Sequence, residues 1–321
     1  MTALRFPCYF TSMLPLFRAL RPRFFLASLL GLAALAPVLR ADDFNLESAR
    51  ATAAKGDARA QFYLSRCYAH GDGVPQDYAR AVEYLRLSAA QGYARAENNL
   101  GAFYAQGLGL PQNNAEAAKW FRQAAEQGDP LAEFSLGQAC QQGRGVPASP
   151  SEALHWYQRA AEQNQTNAIL ALADLYLGGR GVPVDLQKSV HWFEKAAGQG
   201  SLNALNSLGY IYESGGDGVA KNPAQAAGYY RQAAERGFPK GQFNLGRAYL
   251  YGLGVGADAV EACKWLYIAS RNGEGNSRHY LEELEGHAHY GDLPGQPLTS
   301  EQINEAVRRA REFETARSPR P

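Results

Sequence analysis

The sequence is poor in cysteine, holding four in 321 residues. Cys8 lies near the N-terminus, and Cys67, Cys140 and Cys263 are an odd number that recurs at no single position. At most one disulfide can form among them, and none is expected. An excess of charge is also missing. There are 32 Lys and Arg against 31 Asp and Glu, a formal charge of +1, which excludes a broad electrostatic binder of nucleic acid. No G-x-S-x-G, H-E-x-x-H or Walker-type motif occurs, and nothing points to a Ser/His/Asp triad. Six histidines are present. His279 with the pair His287 and His289 is the one grouping with any claim to bind metal. It lacks a supporting cysteine or carboxylate pattern, so a surface loop is the expected reading. The composition, 46% hydrophobic and 20% charged, is that of an ordinary globular chain.

The N-terminus has the order of a secretory leader. Residues 18–23 are basic, 24–36 are apolar and uncharged, and Pro37 to Ala41 precede the acidic pair Asp42 and Asp43. Thirteen apolar residues fall short of the roughly 20 needed to span a bilayer. Residues 1–41 are therefore expected to be a signal peptide, cut after Ala41, with Met1 or Met13 as the start. Positions 1–41 hold five arginines and no acid, so the remainder carries 27 bases against 31 acids, a net of −4. A soluble, exported, periplasmic or secreted chain is expected, with no membrane insertion after cleavage.

What the sequence has in quantity is glycine, 33 residues, and the glycines are periodic. Segments beginning at Gly56, Gly92, Gly128, Asn164, Gly200 and Gly237 repeat every 36 residues, the fifth being longer by one near Gly215. Counting the first residue of each as position zero, position zero is Gly or Asn, suited to closing a helix in the left-handed region. Position four is small, position eight is always Leu from Leu64 to Leu281, and position twelve is Tyr68, Tyr104, Cys140, Tyr176, Tyr212 and Tyr249. These share one helical face. Position nine is Ser or Ala in two repeats and Gly in four, which predicts close approach of another helix backbone. A glycine-rich turn follows, GDGVP, GLGLP or GRGVP in the first four repeats. Its repetition and the absence of a following Lys-Ser/Thr make it a structural turn, not a phosphate loop. Asp77, Asn113, Ser149, Asp185, Asn222 and Asp258 are then expected helix N-caps, with Glu116, Glu152, Gln225 and Glu261 completing capping boxes. The second helix carries aromatic pairs such as Trp120–Phe121 and Trp156–Tyr157.

Each unit reads as helix, turn, helix, and stacked units bury a continuous core. The expected organisation is a capping helix in 42–55 and repeats at 56–91, 92–127, 128–163, 164–199, 200–236 and 237–272. A partial repeat at 273–285, a loop at 286–298, a C-terminal capping helix at 299–316 and a loose tail at 317–321 follow. The pattern A-x-x-x-L-G-x-x-Y-x-x-G-x-G-V-P, then D/N-x-x-x-A-x-x-W-F-x-x-A-A-x-x-G, resembles the Sel1-like repeat, a relative of the tetratricopeptide repeat. The segment LTSEQINEAVRRARE resembles the closing helix of bacterial members. The resemblance implies an all-α, right-handed α-solenoid of stacked helix-turn-helix repeats acting as an adaptor or scaffold. Some secreted relatives rich in cysteine carry a Cys pair in each repeat and are linked to β-lactams. This chain lacks that ladder.

The concave side of such a solenoid is expected to bind, and positions 3, 7, 10 and 14 of the first helix point away from the core. They differ from repeat to repeat. The candidate partner-binding residues are Arg59, Tyr63, Arg66, Arg95, Asn99, Gln138, Asp174, Asn203, Tyr210, Lys240, Asn244, Arg247 and Tyr251. Arg, Tyr and Asn suit an extended peptide or an acidic group. The leading expectation is a non-catalytic adaptor for a protein or peptide, with no cofactor, metal or nucleic acid. An exported enzyme acting on β-lactams or peptidoglycan and a structural subunit of an envelope complex are the alternatives. A monomer is expected, with a dimer through the terminal helices left open.

Overall fold

The structure, a computed structural model, describes residues 45–286 and 297–317. The leader with Cys8 and Met13, the loop histidines 287 and 289, and the tail from 318 lie outside the described residues. Among these residues there are fifteen α-helices and no strand, only a single bridge between Gly216 and Val219. Helix α1 is Leu46–Ala54. Six helix pairs follow. They are α2 (Ala58–His70) with α3 (Tyr78–Ala89), α4 (Ala94–Gln106) with α5 (Asn114–Glu126), and α6 (Pro130–Gln142) with α7 (Pro150–Glu162). The rest are α8 (Thr166–Gly178) with α9 (Leu186–Gly198), α10 (Leu202–Ser214) with α11 (Pro223–Glu235), and α12 (Pro239–Tyr251) with α13 (Ala259–Arg271). Helix α14 is Ser277–Leu284 and α15 is Ser300–Arg317. Each helix packs on the one before and the one after, from α1 to α14, which is the contact pattern of a helix-turn-helix solenoid.

Positions four, eight and eleven are buried in every complete repeat, and position twelve is buried or half-buried. The ring of the second helix packs under position nine. A methyl group added at Gly101, Gly137 or Gly209 would collide with the rings of Phe121, Tyr157 or Tyr230, and one at Gly246 with Leu266. The expected close approach is thus chiefly of a side chain, not of a backbone. The large ring needs the volume that a Cβ would fill.

The capping boxes do not form in the repeats. Asp77, Asn113, Ser149, Asp185, Asn222 and Asp258 do cap their helices, each side chain accepting from a backbone N–H of the first turn. The cap's own N–H is already committed. It donates to the position-twelve carbonyl of the preceding helix, at 2.8 Å for Asn113 to Tyr104, 2.8 Å for Ser149 to Cys140 and 2.7 Å for Asn222 to Tyr212. The Glu side chains are released to other partners. Glu116 meets Lys119, and Glu261 meets Lys264 and Arg309. Outside the repeats the reciprocal pair does occur, with Thr299 N donating to Gln302 Oε1 at 2.9 Å and Gln302 N to Thr299 Oγ1 at 3.3 Å.

The turn glycines also join neighbouring repeats. A Cβ on Gly109 would strike the Tyr78 carbonyl, one on Gly145 the Asn114 carbonyl, and one on Gly254 the Pro223 carbonyl. Each turn therefore rests on the first residue of the previous second helix. The additional residue of the fifth repeat is absorbed in this turn, where Gly216 and Val219 exchange backbone hydrogen bonds of 2.9 and 2.8 Å.

A buried polar ladder crosses the stack at position five. Gln91 Nε2 donates to Gln61 Oε1 at 2.8 Å, Gln127 to Glu97 at 2.6 Å, Gln163 to Glu133 at 2.9 Å, and Asn272 to Gln242 at 3.0 Å. In repeats four and five the position is Ile169 and Leu205, and the ladder is interrupted. Burial pushes the Glu97 and Glu133 carboxyls up, and the Arg159 guanidinium, 2.9 Å from Glu133, opposes the shift there.

Helix α15 packs on α13. Phe313 meets Trp265 edge-on with centroids 4.9 Å apart, and Arg309 pairs with Glu261 at 2.9 Å.

Two outcomes follow from these contacts. Gly145→Ala places a Cβ against the Asn114 carbonyl at a φ of +76°, and is expected to lower stability by roughly 2 kcal/mol or more, read as a fall in Tm. Glu97→Gln keeps the acceptor for Gln127 and removes a buried charge. It is expected to stabilise the protein by about 1 kcal/mol at neutral pH. Because the carboxyl is raised in the folded state, the wild-type penalty fades as pH falls through that raised value. Denaturant titrations at neutral and acid pH should therefore converge.

Candidate partner-binding face

Direct contact between like helices within the repeats is made by first helices, α4 with α6 and α10 with α12. No two second helices of successive repeats touch to that extent. Helices that approach each other across a repeat lie inside the curve of the stack, so the first helices line the inner face.

None of the thirteen candidate residues is buried. Arg59, Asp174, Asn203, Tyr210 and Lys240 are exposed. Tyr63, Arg66, Arg95, Asn99, Gln138, Asn244, Arg247 and Tyr251 are half-buried. Tyr210 stands out as a large ring left 45% exposed. Asn244 and Arg247 are engaged by the preceding repeat. Asn244 Nδ2 donates to Asn206 Oδ1 at 2.8 Å, and Arg247 lies 3.6 Å from Glu213 with its guanidinium over the Phe243 ring. Asp174 is exposed, yet the atoms packed around it desolvate its carboxyl and push it up to about 6, while Arg180 pulls it down.

Positions six and thirteen also reach this face, and the periodic reading did not include them. Position six contributes the half-buried Phe134, Leu170, Asn206 and Phe243. Position thirteen obeys a rule that a comparison of columns could have revealed. Where the second helix offers a tyrosine, position thirteen is polar. Tyr157 Oη donates to Gln141 Oε1 at 2.9 Å and Tyr230 Oη to Glu213 Oε2 at 2.7 Å. Where the second helix offers Leu85, Phe121, Phe193 or Leu266, position thirteen is Ala69, Ala105, Leu177 or Leu250. The two tyrosine rings pass beneath a position-nine glycine and stay buried, and their hydroxyls reach the half-buried position-thirteen side chains. Burial raises both phenols, and the Glu213 carboxylate raises Tyr230 further. Glu213 thereby joins the core to the face, receiving Tyr230 from behind and Arg247 from the next repeat.

From end to end the face changes character. Arginines dominate repeats one and two, Leu131, Phe134 and Leu170 make repeats three and four apolar, and amides and aromatics furnish repeats five and six. The three described cysteines are buried free thiols. Cys140 donates to Glu152 at 3.5 Å. Burial first, then that carboxylate, pushes its thiol up to about 11, so it is not a thiolate at neutral pH. His155 and His191 pack edge-on against Trp156 and Trp192 on second helices, away from this face.

The Sel1 repeat model matches this chain six times, at residues 58–93, 94–129, 130–165, 166–201, 202–238 and 239–274. Among solved structures, a protective antigen present in uropathogenic Escherichia coli strains and displaying an SLR fold is 32% identical, with 84% of this chain covered and a TM-score of 0.73. The chain spans 56% of that protein's length. A Sel1 repeat protein from Oxalobacter formigenes is 28% identical, with 82% of this chain and 98% of that one covered and a TM-score of 0.63. No curated protein matches the chain significantly.

The tyrosine rule is testable by a double-mutant cycle. Phe121→Tyr alone sets a hydroxyl beside Ala105 with no acceptor, and is expected to cost about 1 kcal/mol. Adding Ala105→Gln should recover most of that loss, read from denaturant midpoints of the two single variants and the pair.

Proposed function

The chain belongs to the Sel1 repeat family, and we propose that it is a non-catalytic periplasmic adaptor that binds an extended segment of a protein or peptide along the inner face of its first helices. Sel1-repeat proteins generally mediate protein–protein interaction, and the scaffold is generally non-catalytic. The observation that carries the reading is the contrast within each first helix. One set of positions is buried throughout, small at four and Leu at eight, while the adjoining set changes along the stack and stays accessible. A face that serves only to keep the stack hydrated has no need of a 45% exposed tyrosine beside an apolar centre.

The chemistry of the face supports an extended partner. The amides of Asn99, Gln138 and Asn203 offer donors and acceptors at repeating intervals, which suits backbone peptide groups. Leu131, Phe134 and Leu170 offer an apolar seat midway along the face. The periplasmic address rests on the basic, apolar and small-residue order of 18–41. Among the described residues no helix is long and apolar enough to cross a membrane.

Cross-linked capture from the native envelope tests this reading. Leu131→Glu combined with Tyr210→Ala is expected to reduce recovery of the captured partner at least about tenfold, with Tm little changed. His191→Glu combined with Glu194→Lys, on the exposed side of α9, should leave recovery as in the wild type. The opposite pattern would favour a structural subunit that assembles through its outer face.

A further inference from the structure

Two arginines occupy position ten, Arg66 in the first repeat and Arg247 in the sixth. Their surroundings differ in one respect that bears on binding. Arg247 is neutralised by Glu213, which the preceding first helix supplies from its position thirteen. Among the described residues no first helix precedes that of Arg66, and α1 ahead of it supplies no equivalent acid. Among the described residues no carboxylate lies within ion-pairing distance of Arg66, and its Nε is buried with no hydrogen-bond partner. Asp72, in the turn after α2, acts electrostatically on Tyr63 and Cys67 without pairing with this guanidinium.

Where the corresponding helices meet at the other end of the stack, position seven contacts position six, as Asn244 does Asn206, and position ten contacts position thirteen, as Arg247 does Glu213. The same register sets Asn99 beside Phe62 and Ala102 toward Ala69, so the second repeat brings no acid to Arg66. A buried donor without a protein partner is costly to leave unmade. Positions 3, 6, 7, 10, 13 and 14 in repeats one and two contain no carboxylate at all.

We propose that this end of the inner face receives a carboxylate of the partner, held by the Arg66 guanidinium. A planar fork on a carboxylate is the strongest pairing open to arginine. The carboxylate comes from an acidic side chain or from the chain terminus, the chemistry at Arg66 being the same. The proposal rests on the inner-face reading above and gives the partner a direction, with its acid over repeats one and two and its apolar residue over repeats three and four.

Two immobilised random nonapeptide libraries, one with free C-terminal carboxyls and one amidated, tested against the full chain decide the matter. Enrichment of Asp or Glu in the amidated library identifies a side-chain source, and enrichment confined to the free-end library identifies the terminus. In either case Arg66→Gln is expected to weaken the enriched peptides at least about tenfold and Arg247→Gln by less than about threefold. Arg66→Lys should recover part of the loss, and Tm of each variant reports folding. Enriched peptides that are amidated and free of acid, or an R66Q variant that folds and binds within twofold of wild type, would overturn the carboxylate site and leave the inner-face reading standing. Failure of both libraries to enrich any peptide would overturn the carboxylate site and the inner-face reading together.

Discussion

One backbone hydrogen bond organises every module of this protein. The N–H of the residue that opens each second helix donates to the position-twelve carbonyl of the first helix. The bond ties the end of one helix to the beginning of the next and so fixes the angle of the hairpin before any side chain is considered. It takes up a carbonyl that would otherwise be orphaned at a helix end and a donor that would otherwise need a cap. With the hairpin angle fixed, a large side chain of the second helix, Phe121, Tyr157, Tyr230 or Leu266, arrives beneath a position-nine glycine, and the turn arrives on the preceding second helix. The stack then repeats because each hairpin presents the same two surfaces.

The helices, their order and the buried columns were legible in the sequence because burial in a repeat protein is recorded many times over. Leu at position eight recurs without exception, and a single chain supplies its own comparison. What escaped was the pairing between columns. The spacing from Asn113 to Glu116 has the form of a capping box, yet the turn geometry had already spent the N–H that the glutamate needs. Glycine at position nine announced close packing without saying whether a ring or a backbone came near. The ladder through Gln61, Glu97, Glu133 and Gln242 is polar, so a search for apolar periodicity passed over it. The candidate face was legible as a set of uncovered positions. Its internal pairings, Asn244 with Asn206 and Arg247 with Glu213, depend on how consecutive repeats are staggered, which no one repeat encodes.

The face and the core are not separate layers. The hydroxyls of Tyr157 and Tyr230 are the far ends of buried core rings, which the absence of a Cβ at Gly137 and Gly209 lets reach the position-thirteen side chains. A residue chosen for packing in the second helix thus sets what is displayed on the first. The apolar middle, the basic end and the amide-rich end are consequences of which rings and which position-thirteen partners each repeat happens to carry. Variation on the face is accordingly constrained from behind, and a change of displayed chemistry at position thirteen calls for a matching change one layer deeper.

The fifth repeat carries one residue more than its neighbours, and the surplus is confined to the turn around the Gly216–Val219 bridge. The helices on either side, α10 and α11, keep the thirteen-residue length found in most of the stack. Length in this chain is therefore free at one kind of place only. The turn is a natural socket into which a foreign loop or reporter epitope can be spliced without disturbing the register of the modules around it, and lineages that diversify by insertion have the same single door open to them.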